Sequence, residues 1–204
     1  MLIGPKYKIC KRLGASVFEK CQTQKFQLAE ARAPRKMSRG KRGGNTDFGA
    51  QLLEKQKARF TYGLSESQFA RYVNQAMEKR GTDSIQGLMA HLESRLDNVV
   101  FRAGFVKTRR AARQLVSHGH VLVNGRRVSI PSYQVAVGEK VSIRPESRTS
   151  PLFAGRTETA AETKLPEWLE MGDDHFEVTV AKAPIIADTE LPFNAGVVIQ
   201  FYSR

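Results

Sequence analysis

The chain has 204 residues, 41% of them hydrophobic, which is enough apolar material for one large or two small packed domains and excludes a wholly disordered tail. A formal net charge of +13 indicates a polyanionic partner, either nucleic acid or an anionic membrane. The sequence shows no long apolar span, no lipidation signal and no secretory leader. We therefore expect a cytoplasmic protein that binds nucleic acid and has no membrane partner.

The positive charge is concentrated in two blocks. Residues 1–44 carry a net charge of +10 and residues 92–148 carry +7, whereas residues 45–91 carry +1 and residues 149–204 carry −5. With these same boundaries, the pattern predicts a basic arm and a basic module that contact nucleic acid, a helical domain between them, and a C-terminal segment.

The arm has little apolar periodicity and ends in a run rich in Lys, Arg and Gly. Like charges at this density repel, so we expect no core here and an arm that stays mobile until phosphate groups order it. The alternative is a solubilising tail that contacts nothing. Cys10 and Cys21 are predicted to be free thiols, because a structural disulfide is uncommon in the reducing cytosol.

Capping signals predict three helices in the helical domain. Asp47 is a suitable N-cap for a helix that runs to Tyr62. Ser65 and Gln68 form the pattern of a capping box ahead of an apolar face at helical spacing. A third, short helix is predicted to begin near Ser84.

Two further helices are predicted after Arg95. The first has Leu96, Val99, Val100 and Phe101 on its apolar face and ends near Gly104, and the second is capped by Thr108 and covers residues 109–118. Apolar side chains of the second helix share one face, and its arginines share the other, where guanidinium forks suit phosphate oxygens. These arginines are Arg109, Arg110 and Arg113.

Asn-Gly at 124–125, between two apolar runs, predicts a two-residue hairpin turn, because both positions need a positive φ. The turn would project Arg126 and Arg127 beside the arginine helix, and residues 139–144 alternate as a third strand. Residues 102–138 contain no acid, so we expect the arginines to be exposed and to converge on one face that binds RNA. The alternative is an ordinary solvated helix surface.

The acidic C-terminal segment is predicted to contain a helix at 157–163 and strands at 175–181 and 197–202, which complete the sheet begun by the hairpin. Its negative charge favours contact with protein over contact with RNA. Asp173 and Asp174 are interpreted as a solvated turn and not as a catalytic pair. The sequence thus predicts an α+β fold, with a helix-turn-helix-hairpin module on a mainly antiparallel sheet.

These motifs resemble a known family. Four segments, at residues 95–102, 113–120, 123–126 and 131–133, are similar to the RNA-binding module named after ribosomal protein S-four. The likeness continues outside the module, at residues 3–5, 53–57, 62–63, 166–169 and 201–204, so that it covers nearly the full chain.

The resemblance implies a structural constituent of the small ribosomal subunit and not an enzyme. Members of the family are primary binders of 16S ribosomal RNA at a multi-helix junction of its five-prime domain, and so nucleate assembly. They also line the entrance of messenger RNA beside ribosomal protein S-five, and some repress translation of their own operon. An RNA-modifying enzyme built on the same module, and a translational repressor acting off the ribosome, are the alternatives.

The resemblance places RNA contacts in the module and in the basic arm. Within the module they fall on Arg109, Arg110, Arg113, His118, Asn124, Arg126 and Tyr133. We expect further contacts from basic side chains of the module, the helical domain and the arm: Arg102, Lys107, Arg127, Lys55, Lys57, Arg59, Lys6, Lys8, Lys11, Arg12, Arg35, Lys36, Arg39, Lys41 and Arg42.

Some relatives hold zinc through four cysteines in the arm. Tyr7 stands where the first of these would be, and only Cys10 and Cys21 remain, while the four histidines lie far away in sequence. We therefore expect no metal and no cofactor. The enzyme alternative lacks the support of a nucleotide-binding loop or of a serine, histidine and acid arrangement.

Overall fold

The computed structural model of the chain describes residues 4–32, 47–78, 83–153, 165–185 and 191–203. The described residues form helices and a small antiparallel sheet, which confirms the predicted α+β class. The chain forms two compact units, one of residues 1–85 with 186–204 and the other of residues 86–185. The C-terminal segment is therefore divided between the two units. Within the described ranges, no helix is long and apolar enough to cross a bilayer.

The first unit is helical. Its helices are α1 (Lys6–Leu13), α2 (Gln24–Arg32), α3 (Asp47–Tyr62), α4 (Glu66–Glu78) and α9 (Ala195–Tyr202), with a 3-10 turn at Glu19–Cys21. Helix α5 (Ser84–Glu93) starts at the end of this unit, and most of it belongs to the second.

The predicted signals set the ends of the helices in this unit. Helix α3 begins at Asp47 and stops before Gly63, whose φ of 63° is accessible to glycine without strain. The hydroxyl of Ser65 accepts a hydrogen bond from the backbone N–H of Gln68 at 3.3 Å, as expected for the first half of a capping box. Helix α5 begins at Ser84, as predicted.

The prediction of a strand at 197–202 was wrong, because these residues lie in helix α9. The side chain of Asn194 accepts a hydrogen bond from the backbone N–H of Val197 at 3.1 Å, a cap that contributes about 1 kcal/mol. The ring of Phe201 lies 5.5 Å from that of Phe48 on α3, so the apolar residues that suggested a strand cover a helix instead.

The expectations of a coreless arm and of free thiols were also wrong for the described part of the arm. Cys10, Phe18, Cys21 and Phe26 form a small buried cluster within residues 4–32, and a disulfide joins Cys10 to Cys21. The cluster offsets the ordering entropy that the charge pattern left uncompensated. The basic run that ends the arm lies outside the described residues.

The described part of the second unit holds four helices and the sheet. The helices are α5, α6 (Leu96–Arg102), α7 (Arg109–Ser117) and α8 (Pro145–Arg148), followed by a 3-10 turn at Pro151–Phe153. The strands are β1 (Val121–Val123), β2 (Arg126–Arg127), β3 (Lys140–Ile143), β4 (Leu169–Met171) and β5 (Glu177–Val180).

The sheet has the strand order β2-β1-β3-β5-β4, and every neighbouring pair is antiparallel. The β1–β2 turn has φ values of 49° at Asn124 and 78° at Gly125, which confirms the predicted hairpin. Strand β5 joins the sheet as predicted for residues 175–181, and β4 adds an unpredicted edge strand. The helix predicted at 157–163 lies outside the described residues.

One face of the sheet is buried beneath α6 and α7. Val121, Val123, Val141 and Ile143 alternate along their strands with partly exposed neighbours and pack in one cluster with residues of both helices. Each buried aliphatic side chain of this size contributes about 1.5–3 kcal/mol. The core therefore holds α7 and the hairpin to a single frame, and the groups predicted to bind RNA extend from that frame.

Candidate nucleic-acid interface

Helix α7 is amphipathic, as predicted. The hydroxyl of Thr108 caps it by accepting a hydrogen bond from the backbone N–H of Ala111 at 3.1 Å. Leu115 and Val116 are buried, whereas Arg110 is exposed. The helix therefore presents a positive side chain close to its own positively polarised N-terminus, a combination that favours anions.

A buried carboxylate, Asp97, holds two arginines on the inner side of this surface. Arg95, only 2% exposed, donates to Asp97 from Nε at 3.0 Å and from Nη2 at 2.8 Å. Arg113 donates to the same carboxylate from Nε at 2.9 Å and from Nη2 at 2.7 Å, and its side chain is 30% exposed. One acid thus links an enclosed guanidinium to one that reaches solvent.

A second buried carboxylate, Glu93, is fully enclosed. It accepts hydrogen bonds from Nε and Nη2 of Arg102, at 2.9 and 3.1 Å, and from the side-chain amide of Asn98 at 2.6 Å. The oxygen of that amide accepts from Nε of Arg109 at 2.8 Å, and the Arg109 guanidinium lies 4.3 Å from the centre of the Phe101 ring. Glu93 therefore acts on two arginines, one directly and one through an amide.

These contacts correct the expectation that the arginines meet no acid and are freely exposed. The segment 102–138 does lack acids, but the partners come from α5 and α6, just before it. Arg109 and Arg113 are both only partly exposed. Glu93 and Asp97 precede residue 102 in sequence, so a count of charges within 102–138 does not include them. They contact the arginines because the helices pack together.

Exposed polar and basic groups lie around α7 and at the hairpin. They are Lys107, Arg110, His118, Asn124, Arg126 and Arg127. Arg127 donates from Nη2 to the carbonyl oxygen of His118 at 3.2 Å and lies directly over Gly119, where α7 ends. The hairpin therefore has a fixed contact with the arginine helix.

Asn124 and Tyr133 meet at a third carboxylate, that of Glu139. The Asn124 amide donates to it at 3.2 Å and the Tyr133 hydroxyl at 3.0 Å, while Lys140 donates its backbone N–H to the Asn124 side-chain oxygen at 2.9 Å. The hydrogen bond to Glu139 raises the pKa of Tyr133 above its usual value. The sequence did not single out Glu139, although it secures the turn that carries Arg126.

In the first unit, helix α1 carries three exposed cations, Lys8, Lys11 and Arg12. Their spacing of three and four residues places them along one side of the helix, opposite the buried Cys10. Lys6 is partly buried, with its ammonium 5.5 Å from the centre of the Phe18 ring. The arm residues Arg35, Lys36, Arg39, Lys41 and Arg42 lie outside the described residues.

The predicted RNA contacts on α3 are engaged inside the first unit. Lys55 is buried and its ammonium lies 2.7 Å from the Glu66 carboxylate, and Arg59 reaches the other oxygen of that carboxylate at 3.1 Å. Lys57 pairs with Glu54 at 2.6 Å. In this conformation these three side chains form ion pairs within the protein, whereas the exposed cations on α1 face solvent.

The Glu66 carboxylate also joins α9 to this cluster, because it accepts a hydrogen bond from the Tyr202 hydroxyl at 2.8 Å. Partial burial opposes ionisation of Glu66, but the bonds from Lys55 and Tyr202 outweigh it and lower the pKa of Glu66 below its usual value. Burial first, and the bond to Glu66 second, raise the pKa of Tyr202. The cluster fastens the C-terminal helix to α3 and α4.

The part of the chain that the structure describes contains no group of three or more His, Cys, Asp or Glu side chains placed to hold a metal ion. Tyr7 and Phe26 stack with their ring centres 5.1 Å apart beside the bonded pair Cys10 and Cys21. Rings and a disulfide thus occupy the region where some proteins of the resembled family carry zinc ligands.

Two family models match the chain. The model described as the S4 domain matches residues 94–141, and the model described as the ribosomal protein S4/S9 N-terminal domain matches residues 1–93.

Curated relatives align over almost the whole chain. The small ribosomal subunit protein uS4 of Natranaerobius thermophilus is 40% identical over 205 residues, and that of Persephonella marina is 43% identical over 204 residues; each alignment covers 98% of both chains. The uS4 protein of Aquifex aeolicus is 40% identical over 207 residues, covering 99% of this chain and 98% of the relative.

Proposed function

Because the chain belongs to the uS4 family of ribosomal proteins, we propose that it is a structural, non-enzymatic constituent of the small ribosomal subunit and binds the RNA of that subunit directly. The main support for this proposal is that the alignments with the relatives cover almost the whole chain. Relatives 40–43% identical align with 98% of the chain, so the likeness is not confined to a portable RNA-binding module.

The RNA-binding surface that we assign in the second unit consists of the exposed cations beside α7 and at the hairpin. Lys107, Arg110, Arg126 and Arg127 are all solvent-exposed, and no described residue forms an ion pair with them. Neutralising phosphates releases condensed counterions, and this term supplies most of the affinity of such surfaces. The groups available for that exchange are therefore concentrated where sequence patterning placed the module.

Specificity in this proposal comes from RNA shape. The deep, narrow major groove of A-form RNA hides base edges from side chains, so a protein reads the spacing of phosphates and 2′-hydroxyls instead. Arg109 and Arg113 reach the surface only partly and are held from below by Asn98 and Asp97. Such groups suit a ligand whose phosphates already lie at matching distances.

In the first unit, the exposed row Lys8, Lys11 and Arg12 on α1 forms a second RNA contact in our proposal. Lys6 and the basic run at 35–42 extend it on grounds of charge density. We propose a smaller contribution to RNA binding from Lys55, Lys57 and Arg59, because their charges already have carboxylate partners within the protein.

The finer assignment rests on the family resemblance. It has the protein binding 16S RNA at a multi-helix junction of the five-prime domain, nucleating assembly, and lining the entrance of messenger RNA beside ribosomal protein S-five in a cytoplasmic ribosome. The net charge of −5 on residues 149–204 supports protein neighbours for that segment, since it disfavours RNA there.

The positions of the two family matches argue against the alternative of an RNA-modifying enzyme. In an RNA-modifying enzyme the module accompanies a catalytic domain, but here residues 1–93, ahead of the module, match a ribosomal domain. The described residues that follow the module contribute two sheet strands to the second unit and a helix to the first.

A binding experiment tests the proposal. The affinity of the purified chain is measured for a transcript of the 16S five-prime domain and for an equally long transcript from another domain, over a series of potassium chloride concentrations. We expect preference for the five-prime transcript and an affinity that falls steeply with salt. Equal affinity for both transcripts would contradict the proposal, and a flat salt response would contradict the phosphate mechanism.

A further inference from the structure

Two enclosed carboxylates, Glu93 and Asp97, lie beneath the candidate RNA-binding surface of the second unit. Burying an ionised carboxylate is unfavourable, and buried ion pairs are frequently no more stabilising than apolar packing of the same volume. Stability alone therefore accounts poorly for two such groups under one pair of helices. Their partners point to a different role, because each acid is bonded to an arginine that also reaches the surface.

The Asp97 cluster contains one buried arginine, Arg95, and one partly exposed arginine, Arg113. Arg95 is 2% exposed and completes the coordination of the carboxylate from within the unit. Arg113 contacts the same carboxylate through two nitrogens, and its remaining exposed part faces solvent. A planar guanidinium bound through two nitrogens has a defined plane as well as a defined position.

The Glu93 cluster repeats the pattern with an amide as intermediary. Arg102, whose side chain is 20% exposed, contacts Glu93 through two nitrogens. Asn98 donates to Glu93 and accepts from Arg109, so the orientation of Arg109 depends on that of the amide. The Phe101 ring beneath the Arg109 guanidinium restricts it from a second direction.

We propose that Glu93 and Asp97 are positioning residues for RNA recognition, which hold Arg102, Arg109 and Arg113 in fixed orientations before RNA arrives. This inference rests on the proposed function. An arginine ordered in advance does not lose its rotamer freedom on binding, so part of the entropic cost of association is already met in folding. Fixed guanidinium planes also bind only those phosphates that lie at matching positions, which makes the contact selective for RNA shape.

A competing role for the two acids is simple charge balance. In that case, removing either negative charge strengthens binding to every RNA alike, because the surface becomes more positive. Positioning has a different consequence. Removing the acid leaves the arginines charged but free to rotate, so binding to unrelated RNA strengthens while binding to the matching RNA weakens. The ratio of the two affinities distinguishes these roles.

The experiment measures that ratio for Asp97→Asn and Glu93→Gln, with the five-prime-domain transcript and an unrelated duplex RNA of equal length at one salt concentration. Glu170→Gln is the matched control, since Glu170 is an exposed acid of the same unit and its loss changes the net charge equally. We expect the ratio to fall by about two- to tenfold in each test variant, as for one released arginine, and to stay constant in the control.

Arg113→Lys tests the same role at a partly exposed site, where the substitution places less demand on folding. Arg113→Lys retains the charge at a partly exposed site but cannot contact the Asp97 carboxylate through two nitrogens. We expect the same fall in the ratio with an unchanged dependence on salt. An unchanged ratio in Arg113→Lys, or in folded Asp97→Asn and Glu93→Gln, would overturn the inference while leaving the proposed function intact. No preference in the unaltered chain would overturn both.

Discussion

Arg127 lies directly over Gly119, and its guanidinium occupies the space that a Cβ atom on that glycine would need. The glycine has a φ of 75° and follows the last turn of α7, while Arg127 belongs to strand β2 and donates to the carbonyl oxygen of His118. Because Gly119 has no side chain, Arg127 of the hairpin can pack against the end of the arginine helix.

Gly119→Ala is therefore expected to destabilise the protein in two ways. A left-handed backbone costs a residue with a Cβ about 1–2 kcal/mol, and the methyl group must also displace Arg127. Gly138→Ala is the matched control, because Gly138 has a φ of 88° but nothing within 4 Å of its Cβ position. Denaturant unfolding should show the larger loss for Gly119→Ala. Equal losses would mean that the Arg127 contact contributes nothing.

Arg110→Ala is expected to weaken RNA binding and to make its salt dependence less steep. If Arg110 neutralises one phosphate, the slope of log affinity against log salt should decrease in magnitude by about 0.7–0.9. The control is Arg71→Ala, which removes an exposed arginine of α4 in the first unit that lies outside the predicted site. An identical slope in the two variants would exclude Arg110 from the interface.

The Glu66 cluster should make stability depend on pH in the acidic range. Its carboxylate has a pKa lowered from an ordinary value of 4.5, so it binds protons less readily when folded than when unfolded. Its contribution is therefore fully present above pH 4.5 and is lost as the pH falls through the lowered pKa. The melting temperatures of the unaltered chain and of Glu66→Gln should converge on acidification below 4.5. A constant difference between them would contradict this.

Reduction of the Cys10–Cys21 disulfide should loosen α1. The bond closes a short loop, with the cysteines 11 positions apart, and loops of this size gain about 2–3 kcal/mol from cross-linking. Amide exchange in α1 should accelerate on addition of dithiothreitol, and Cys10→Ala with Cys21→Ala should reproduce the effect. Two titratable thiols in the native, unreduced chain would contradict the pairing itself.

Local signals were sufficient for much of the fold. The Thr108 cap and the turn at 124–125 depend on chemistry within four residues, and both appear in the structure as predicted. The strand predicted at 197–202 failed because an apolar run with β-branched residues also suits a packed helix. The deciding cap, Asn194, stands outside that run.

The candidate site was less accessible to sequence patterns than the fold. Exposed cations such as Arg110 and Arg126 follow from helical and hairpin periodicity. The partners of Arg113 and Arg102 do not, because their acids come from other helices and only packing brings them together. The side-chain pairing of Lys55 was missed for the same reason, since Glu66 lies on the next helix.

The strand order places positive charge at one edge of the sheet of the second unit and negative charge at the opposite edge. Strand β2, with Arg126 and Arg127, forms one border of the sheet, and β4, with the exposed Glu170, forms the opposite one. A polyanion at a distance is attracted to the first border and repelled by the second, so the resulting torque turns this unit before any atom touches. For the RNA-binding surface that we propose, encounters would then begin with the hairpin leading, which would increase the fraction of collisions that are productive.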